Sequence, residues 1–433
     1  MIRYYSTNGQ APPVTFAEAL FQGLAPDGGL YFPDQFPKFS PEELAALPGT
    51  SLAECGFAVL QKWFGEEIPE AELRAIAKAA FHFPIELRPV GPYHLLELFH
   101  GPTQAFKDVA AQTLARLMSH FLQARRENVL LLVATSGDTG GAIAHGFADI
   151  PNIDVVILFP KGRVSALQEE QLTRVAENVH PLEIDGVFDD CQALVKQAFN
   201  DPSLRQFQLT SANSISIGRL IPQIVYYVYA YAQTGRSDIE FVVPSGNFGN
   251  LTGGLFAREM GLPFDHFVAA TNLNDVAVRY LETGRYEPQP TIQTLANAMD
   301  VGNPSNFVRV LELFGHDVDR CRAVLRAHSV TDAEAVATIK AVHQEHGYLL
   351  DPHTAVGWHV AEALADPARY TIIVGTAAPL KFAAEIERQT GLPVDNEAAL
   401  GQLARYAQRK TSLANVYDAL AAELGRIYRS IYE

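Results

Sequence analysis

Cysteine is scarce. Cys55, Cys191 and Cys321 are the three in a chain of 433 residues. They are widely spaced and odd in number, which excludes a disulfide framework and a CxxC metal site and points to a reducing, cytoplasmic setting. Positive charge is in deficit: 33 Lys and Arg stand against 49 Asp and Glu, a formal net charge of −16. A surface that acidic repels phosphate backbones and anionic lipid, so neither nucleic acid nor membrane is an expected partner. An anionic small molecule remains admissible if a pocket supplies its own positive field. Long apolar runs are missing too. The uncharged stretch 220–235 is interrupted by Pro222, Gln223 and Gln233, so no bilayer span is expected. Met1-Ile2-Arg3-Tyr4-Tyr5-Ser6 has no basic lead followed by an apolar run, so no signal peptide is expected. Repeats and low-complexity tracts are also absent. Apolar residues are what the chain has in quantity, 48% against 19% charged. That suffices for a large core, and the length suits about two to four units at roughly 100–200 residues each.

The first hundred residues place turn signals (Asp27-Gly28-Gly29, Pro33, Pro37, Pro41, Pro48-Gly49) between short helical patterns such as Leu73, Ile76 and Ala80. They predict a mostly helical N-terminal cap ending near Tyr93. From Leu95 the texture changes, because short apolar runs end in small polar residues and then lead into amphipathic stretches. Leu95–Phe99 leads to Gly101-Pro102-Thr103, Val129–Val133 to Thr135–Gly141, and Val155–Phe159 to Pro160-Lys161-Gly162. Phe241–Val243 leads to Pro244–Gly249, and Thr371–Val374 to Gly375-Thr376. Strand, polar loop, helix, repeated, is the pattern of an α/β chain with buried parallel strands, and such sheets bind ligands beyond the carboxyl ends of their strands. The last fifty residues, with Leu420, Leu424 and Ile427, predict helices packed on the outside.

Lys107 lies in His100-Gly101-Pro102-Thr103-Gln104-Ala105-Phe106-Lys107-Asp108, between a predicted strand and a predicted helix. A lysine desolvated at such a junction has a lowered pKa and a free amine for Schiff-base chemistry, whereas position alone more often describes a solvated lysine at a helix start. Ser245-Gly246-Asn247-Phe248-Gly249-Asn250 follows a strand and opens a helix, so its backbone N–H groups and the helix N-terminus favour a phosphate. There is no GxxxxGK[ST] and no GxGxxG, so neither an NTPase loop nor a dinucleotide fold is supported. Thr135-Ser136-Gly137-Asp138-Thr139 is a second helix-opening loop whose hydroxyls and N–H groups suit a carboxylate. Asn213, Ser214 and Arg219 form a third patch, in which a guanidinium can grip a phosphate while neutral donors complete the shell. His343, His346 and His353 suggest a metal by spacing, but the simpler reading is a polar helix face followed by a loop histidine, and no metal is expected. Tyr226, Tyr227, Tyr229 and Tyr231 read as an aromatic helix used for packing.

Taken in order, His100–Asp108, Thr135–Gly141, Ser211–Arg219, Pro244–Asn250, Pro304-Ser305-Asn306-Phe307, Asp351–Gly357 and Gly375–Phe382 resemble the threonine synthase family, as does Gly23–Tyr31 near the start. The resemblance implies a fold-type-II enzyme with pyridoxal 5'-phosphate as cofactor: two open, twisted, mostly parallel sheets flanked by helices, under a helical cap. The implied division is 1–94 for the cap, 95–220 for the Lys-bearing segment and smaller substrate-side domain, 221–383 for the larger cofactor domain and 384–433 for C-terminal helices. The implied reaction converts O-phospho-L-homoserine and water to L-threonine and phosphate, in an enzyme that is a monomer or a homodimer. By resemblance Lys107 is the catalytic residue that links to the cofactor aldehyde, and Gly246, Asn247, Phe248, Gly249 and Asn250 cup its phosphate. Thr376 stands at the pyridine nitrogen and Asp138 at the ring edge. Thr135, Ser136 and Thr139 face the substrate carboxylate, and Asn213, Ser214 and Arg219 hold the substrate phosphate. Lys381 and Asn306 fall in family motifs without a role legible from sequence. One departure is Ala378, where the family often has histidine. It leaves open a phospho-lyase or dehydratase that releases a 2-oxo acid; an inactive amino-acid-binding homologue is the alternative from another class.

Overall fold

Two large sheets with separate strand orders carry the chain, beside a small two-stranded antiparallel sheet near the N-terminus. The computed structural model describes residues 1–135, 137–264, 266–395 and 407–432. Ser136 therefore lies outside the described residues.

The strands are β1 (Tyr4–Ser6), β2 (Tyr31–Pro33), β3 (Glu86–Val90), β4 (Tyr93–Glu97), β5 (Val129–Ala134), β6 (Ile153–Pro160) and β7 (Val179–Asp185). They continue with β8 (Leu209–Thr210), β9 (Ile239–Pro244), β10 (His266–Thr271), β11 (Leu325–Ser329), β12 (Tyr370–Gly375) and β13 (Thr411–Ala414). The larger sheet has the order β11-β10-β9-β12-β4-β3 and the smaller one β13-β7-β6-β5-β8. All pairings in both are parallel except the β3–β4 hairpin, which gives the larger sheet an antiparallel edge. Every residue of β6 and of β9 is buried. Helices cover both faces of these strands, which is why the sequence there runs apolar without alternation.

Around this frame the N-terminal region supplies the helices Phe16–Gln22, Pro41–Ala46, Leu52–Phe64 and Glu70–Ala80, the first three closed at their N-termini by capping boxes on Thr15, Ser40 and Ser51. The sequence-based boundaries need correction at two places. The 94/95 division cuts through β4, which pairs with β12 and so belongs to the larger sheet rather than to the cap. The C-terminal segment is not helical throughout, because β13 pairs with β7 and extends the smaller sheet. Its helix Tyr417–Tyr432 then covers that sheet through Leu420, Leu424 and Ile427. Burial of a Leu or Ile side chain stabilises by about 1.5–3 kcal/mol, so this helix fixes the outer face of the smaller sheet. His353 is not a loop residue either. Asp351 caps, Pro352 starts and His353 joins the first turn of the helix Pro352–Leu364. Its ring takes a hydrogen bond from the Ala298 N–H and pairs with Asp351, so the histidine is a buried structural link.

Among the described residues no helix is long and apolar enough to cross a membrane.

Candidate active site

Loops from the carboxyl ends of β4, β5, β8, β9 and β12 carry the predicted functional residues. The β4 loop ends at Lys107, the first residue of the helix Lys107–Arg125. Strand β12 holds that loop in place: the Phe106 N–H donates to the Thr376 carbonyl at 2.9 Å and the Ala378 N–H to the Gln104 carbonyl at 3.0 Å. The Tyr226 hydroxyl donates to the Phe106 carbonyl, one residue from the lysine. Below it Asp108 is buried and accepts the Thr103 N–H and hydroxyl. Burial pushes its carboxyl up to about 6, against the pull of the Thr103 bonds. The residue Lys107 retains some solvent access, yet its amine is desolvated. That desolvation lowers its pKa; Asp138 opposes the shift, while Arg219 and Lys381 add to it. Among the described residues the amine makes no hydrogen bond or ion pair. A desolvated amine with no polar partner is suited to covalent chemistry.

The β5 loop turns at Gly137, whose φ of 141° and close approach to the Gln168 side chain, 2.5 Å from where a Cβ would stand, require glycine. The Thr135 hydroxyl accepts the Gly137 and Gly140 N–H groups at 3.0 and 2.8 Å. It is thus engaged in shaping the loop rather than turned to a ligand. Asp138 opens the helix Asp138–Gly146. Burial works to protonate it, but Lys381 and then Lys107 outweigh that effect and hold its carboxyl far below the usual range. Thr139 is partly exposed.

The β9 loop packs its backbone against the segment around Met299. A Cβ on Gly246 would lie 2.5 Å from the Met299 Cα. Phe248 takes a left-handed φ of 61° and starts the helix Gly249–Glu259, whose N-terminus has no side-chain cap. Asn247 bridges two loops, donating to the Ser214 hydroxyl at 2.6 Å and accepting the Ser305 N–H at 2.6 Å. The Asn250 carbonyl oxygen of the side chain accepts from the Tyr227 hydroxyl at 2.7 Å, while its buried amide nitrogen has no partner among the described residues.

The β8 loop contains the sharpest contrast in the molecule. Arg219 is 3% exposed. Among the described residues its side chain makes one hydrogen bond, to the Ala212 carbonyl at 3.1 Å, and its buried Nε has no partner. Arg309 is 0% exposed but satisfied, by the Tyr31 carbonyl at 3.0 Å, the Asn306 side chain at 2.6 Å and the Ile215 carbonyl at 2.7 Å. Burial lowers both guanidinium groups, to about 10 and about 9 respectively. Arg309 is a structural tie, whereas Arg219 has capacity left for an anion. Gln104, Ser211, Ser216 and Gln223 add further buried polar atoms without partners, on or next to the site loops. Asn213 is exposed, and Thr376 is buried behind Phe106.

Comparison with known proteins identifies the family. Residues 90–374 match the family model described as "Pyridoxal-phosphate dependent enzyme", and residues 3–81 match that for the threonine synthase N terminus. Threonine synthase from Haemophilus influenzae is 44% identical over 90% of this chain and 91% of its own. The chain belongs to the threonine synthase family. Threonine synthase from Escherichia coli is 40% identical over 93% of this chain and 94% of its own length. The crystal structure of pyridoxal-phosphate-bound threonine synthase from Brucella melitensis superposes with a TM-score of 0.94 at 38% identity, covering 99% of this chain and 100% of that one. The fold is thus fold type II, the cofactor pyridoxal phosphate and the activity class a lyase of threonine synthesis.

The residues present fit that cofactor. A glycine-walled loop, an uncapped helix start and an Asn250 amide without a partner among the described residues follow β9, and an uncommitted Lys107 amine follows β4, the two strands flanking β12. Sequence reading missed Tyr226, Tyr227 and Arg309, and left Asn306 without a role. A buried tyrosine needs a hydroxyl partner, so the aromatic run itself signalled polar contacts. Arg309 and Asn306 fix the Ser214–Ile215 turn to the N-terminal region. Arg309→Ala is expected to leave those oxygens unpaired and to destabilise by about 3 kcal/mol or more, read as a lower urea midpoint at unchanged slope.

Proposed function

We propose that this threonine synthase acts on O-phospho-L-homoserine and water, giving L-threonine and phosphate, with Lys107 as its catalytic residue. The buried Arg219 guanidinium, in the short helix Ile217–Leu220 after the β8 loop and with its Nε unpartnered among the described residues, carries the reading, because it calls for an anion. Lys107 would link to the cofactor aldehyde, with Gly246–Asn250 on the phosphate, Thr376 at the ring nitrogen and Asp138 at the ring edge. When bound, pyridoxal phosphate supplies an electron sink for charge developing at the substrate Cα. Lys107 Nζ then carries protons to and from Cα and Cβ, a task that needs an amine not permanently charged. Arg219, with the Ser214 loop, orients the substrate phosphate and balances its charge as it leaves Cγ. The first turn of the helix at Asp138, with Thr139, receives the substrate carboxylate. The Thr135 hydroxyl supports that turn from behind. Ser136, assigned to the same carboxylate, and Asn213, assigned to the phosphate, keep those roles as part of the reading.

The deciding assay incubates the enzyme with phosphohomoserine and measures threonine, phosphate and 2-oxobutyrate. Threonine and phosphate in equal amounts are expected. 2-Oxobutyrate as the main product would replace this reading with the phospho-lyase that Ala378 leaves open. A second expectation concerns the cradle. Gly246→Ala sets a methyl group against the Met299 backbone, an overlap worth about 1–3 kcal/mol. Cofactor affinity should fall by roughly five- to 150-fold in titrations of the apoenzyme.

A further inference from the structure

Lys381 is a buried lysine that the reading above does not use. It sits in the turn Pro379–Phe382 after β12, and its side chain is 0% exposed. Its Nζ has three acceptors, the Thr103 carbonyl at 2.7 Å, Asp138 Oδ1 at 2.9 Å and Gln171 Oε1 at 3.2 Å. An ammonium has three hydrogens, so the group is saturated. Two of these partners belong to helices flanking the smaller sheet, while Lys381 follows a strand of the larger one. The contact therefore joins the two halves of the site. Asp138 Oδ1 also takes the Gln168 amide at 3.0 Å, whereas Oδ2 accepts nothing from any described residue. One carboxylate oxygen is thus anchored and the other left for a ligand.

We propose that Lys381 is a positioning residue, the counter-ion that keeps Asp138 ionised and aimed at the cofactor ring edge, and that the two charges form a unit removable only as a pair. This rests on the reading that Asp138 faces the ring. The physics is that of a buried ion pair. Removing one partner strands the other charge in a poor solvent, while removing both leaves a neutral contact of similar shape. Without Lys381, Asp138 keeps the nearby Lys107 as its main positive neighbour, so the carboxylate would turn toward or protonate beside the very amine that must stay free. The charged groups bearing on that amine are Asp138, Arg219 and Lys381, so the loss changes the balance there directly.

The test compares holoenzymes of Lys381→Met, Asp138→Asn and the double variant in absorption maximum, kcat and KM. Lys381→Met is expected to move the absorption maximum of the bound cofactor and to lower kcat by roughly tenfold or more, with a smaller change in KM. In the double variant kcat is expected to fall no further than in Asp138→Asn alone, and the spectrum to match that of the Asp138→Asn enzyme. An unmoved spectrum in Lys381→Met, or losses that simply multiply in the double variant, overturns the proposal. If Lys381→Met alone does not fold, the double variant decides. Folding and cofactor binding there support the pair, and equal failure shows that the Thr103 and Gln171 contacts are what matter and overturns it. Borohydride trapping with peptide mapping on the parent enzyme separates this from the underlying reading: label on Lys107 with an unmoved Lys381→Met spectrum sinks the counter-ion alone, and label elsewhere sinks the assignment of the site.

Discussion

Lys107→Ala is expected to abolish turnover, by more than roughly 10³-fold in kcat, together with the visible absorption of a lysine-linked cofactor. On the proposed assignment two losses combine: the covalent anchor and the base that moves protons at Cα and Cβ. The competing amine is Lys381, which is more deeply buried, but its three acceptors hold every hydrogen it has. Lys107 has no such partners among the described residues. For the same reason Lys107→Ala should fold normally, since it breaks no hydrogen bond, and its far-UV dichroism and urea midpoint should match the parent. A small primary amine added to Lys107→Ala should restore a fraction of the activity by filling the vacated space with a free base. Retained turnover, or reductive labelling of any lysine but 107, would show that the chemistry lies elsewhere.

The features that made Lys107 legible explain what else could be read from the sequence. Strands β5, β6, β9 and β12 are apolar runs buried on both faces, and each stops at a cluster of Gly, Ser or Thr, so both strand and loop are visible locally. β7 was not, because Pro181 and Glu183 break its apolar character; Glu183 is held there by Lys410 and Ser412 from the distant C-terminal segment. β13 has four residues, all intermediate or exposed, and exists only by pairing with β7. β10 and β11 lack a glycine-rich exit, so nothing marks their ends. The site divides along the same line. Glycines and clustered hydroxyls advertise a loop over a few residues. The supports do not, because their partners are far along the chain: Tyr226 reaches Phe106, Arg309 reaches Tyr31 and Lys381 reaches Thr103. A lone buried Arg or Lys in sequence carries no sign of whether its hydrogen bonds are all met, and that distinction separates Arg309 from Arg219.

Arg219→Ala tests that distinction most directly, because function and stability should move in opposite directions. Loss of a charge-assisted contact to a buried phosphate costs about 2–5 kcal/mol, so kcat/KM should fall by roughly 30- to several-thousand-fold. Cofactor affinity should change little, since the cofactor phosphate is assigned to the Gly246–Asn250 loop. Stability of the substrate-free enzyme follows from proton linkage. Burial depresses the native guanidinium to about 10, well below its ordinary value. Below that value both native and unfolded forms are charged, and the native form bears the desolvation cost. Between the two values the unfolded chain binds more protons, so stability recovers as pH rises. At neutral pH the cost is therefore present in full, and Arg219→Met, which keeps the volume without the charge, should match or exceed the parent in urea midpoint. Arg309→Met should fall well below it, because that guanidinium gives up three good hydrogen bonds. Arg219→Lys should lie between parent and alanine in kcat/KM, having charge without the planar fork. Inorganic phosphate should stabilise the parent holoenzyme against heat and leave Arg219→Ala unmoved. Equal loss of substrate and cofactor binding in Arg219→Ala would place this arginine on the cofactor instead, and a large drop in stability for Arg219→Met would make it a structural tie like Arg309.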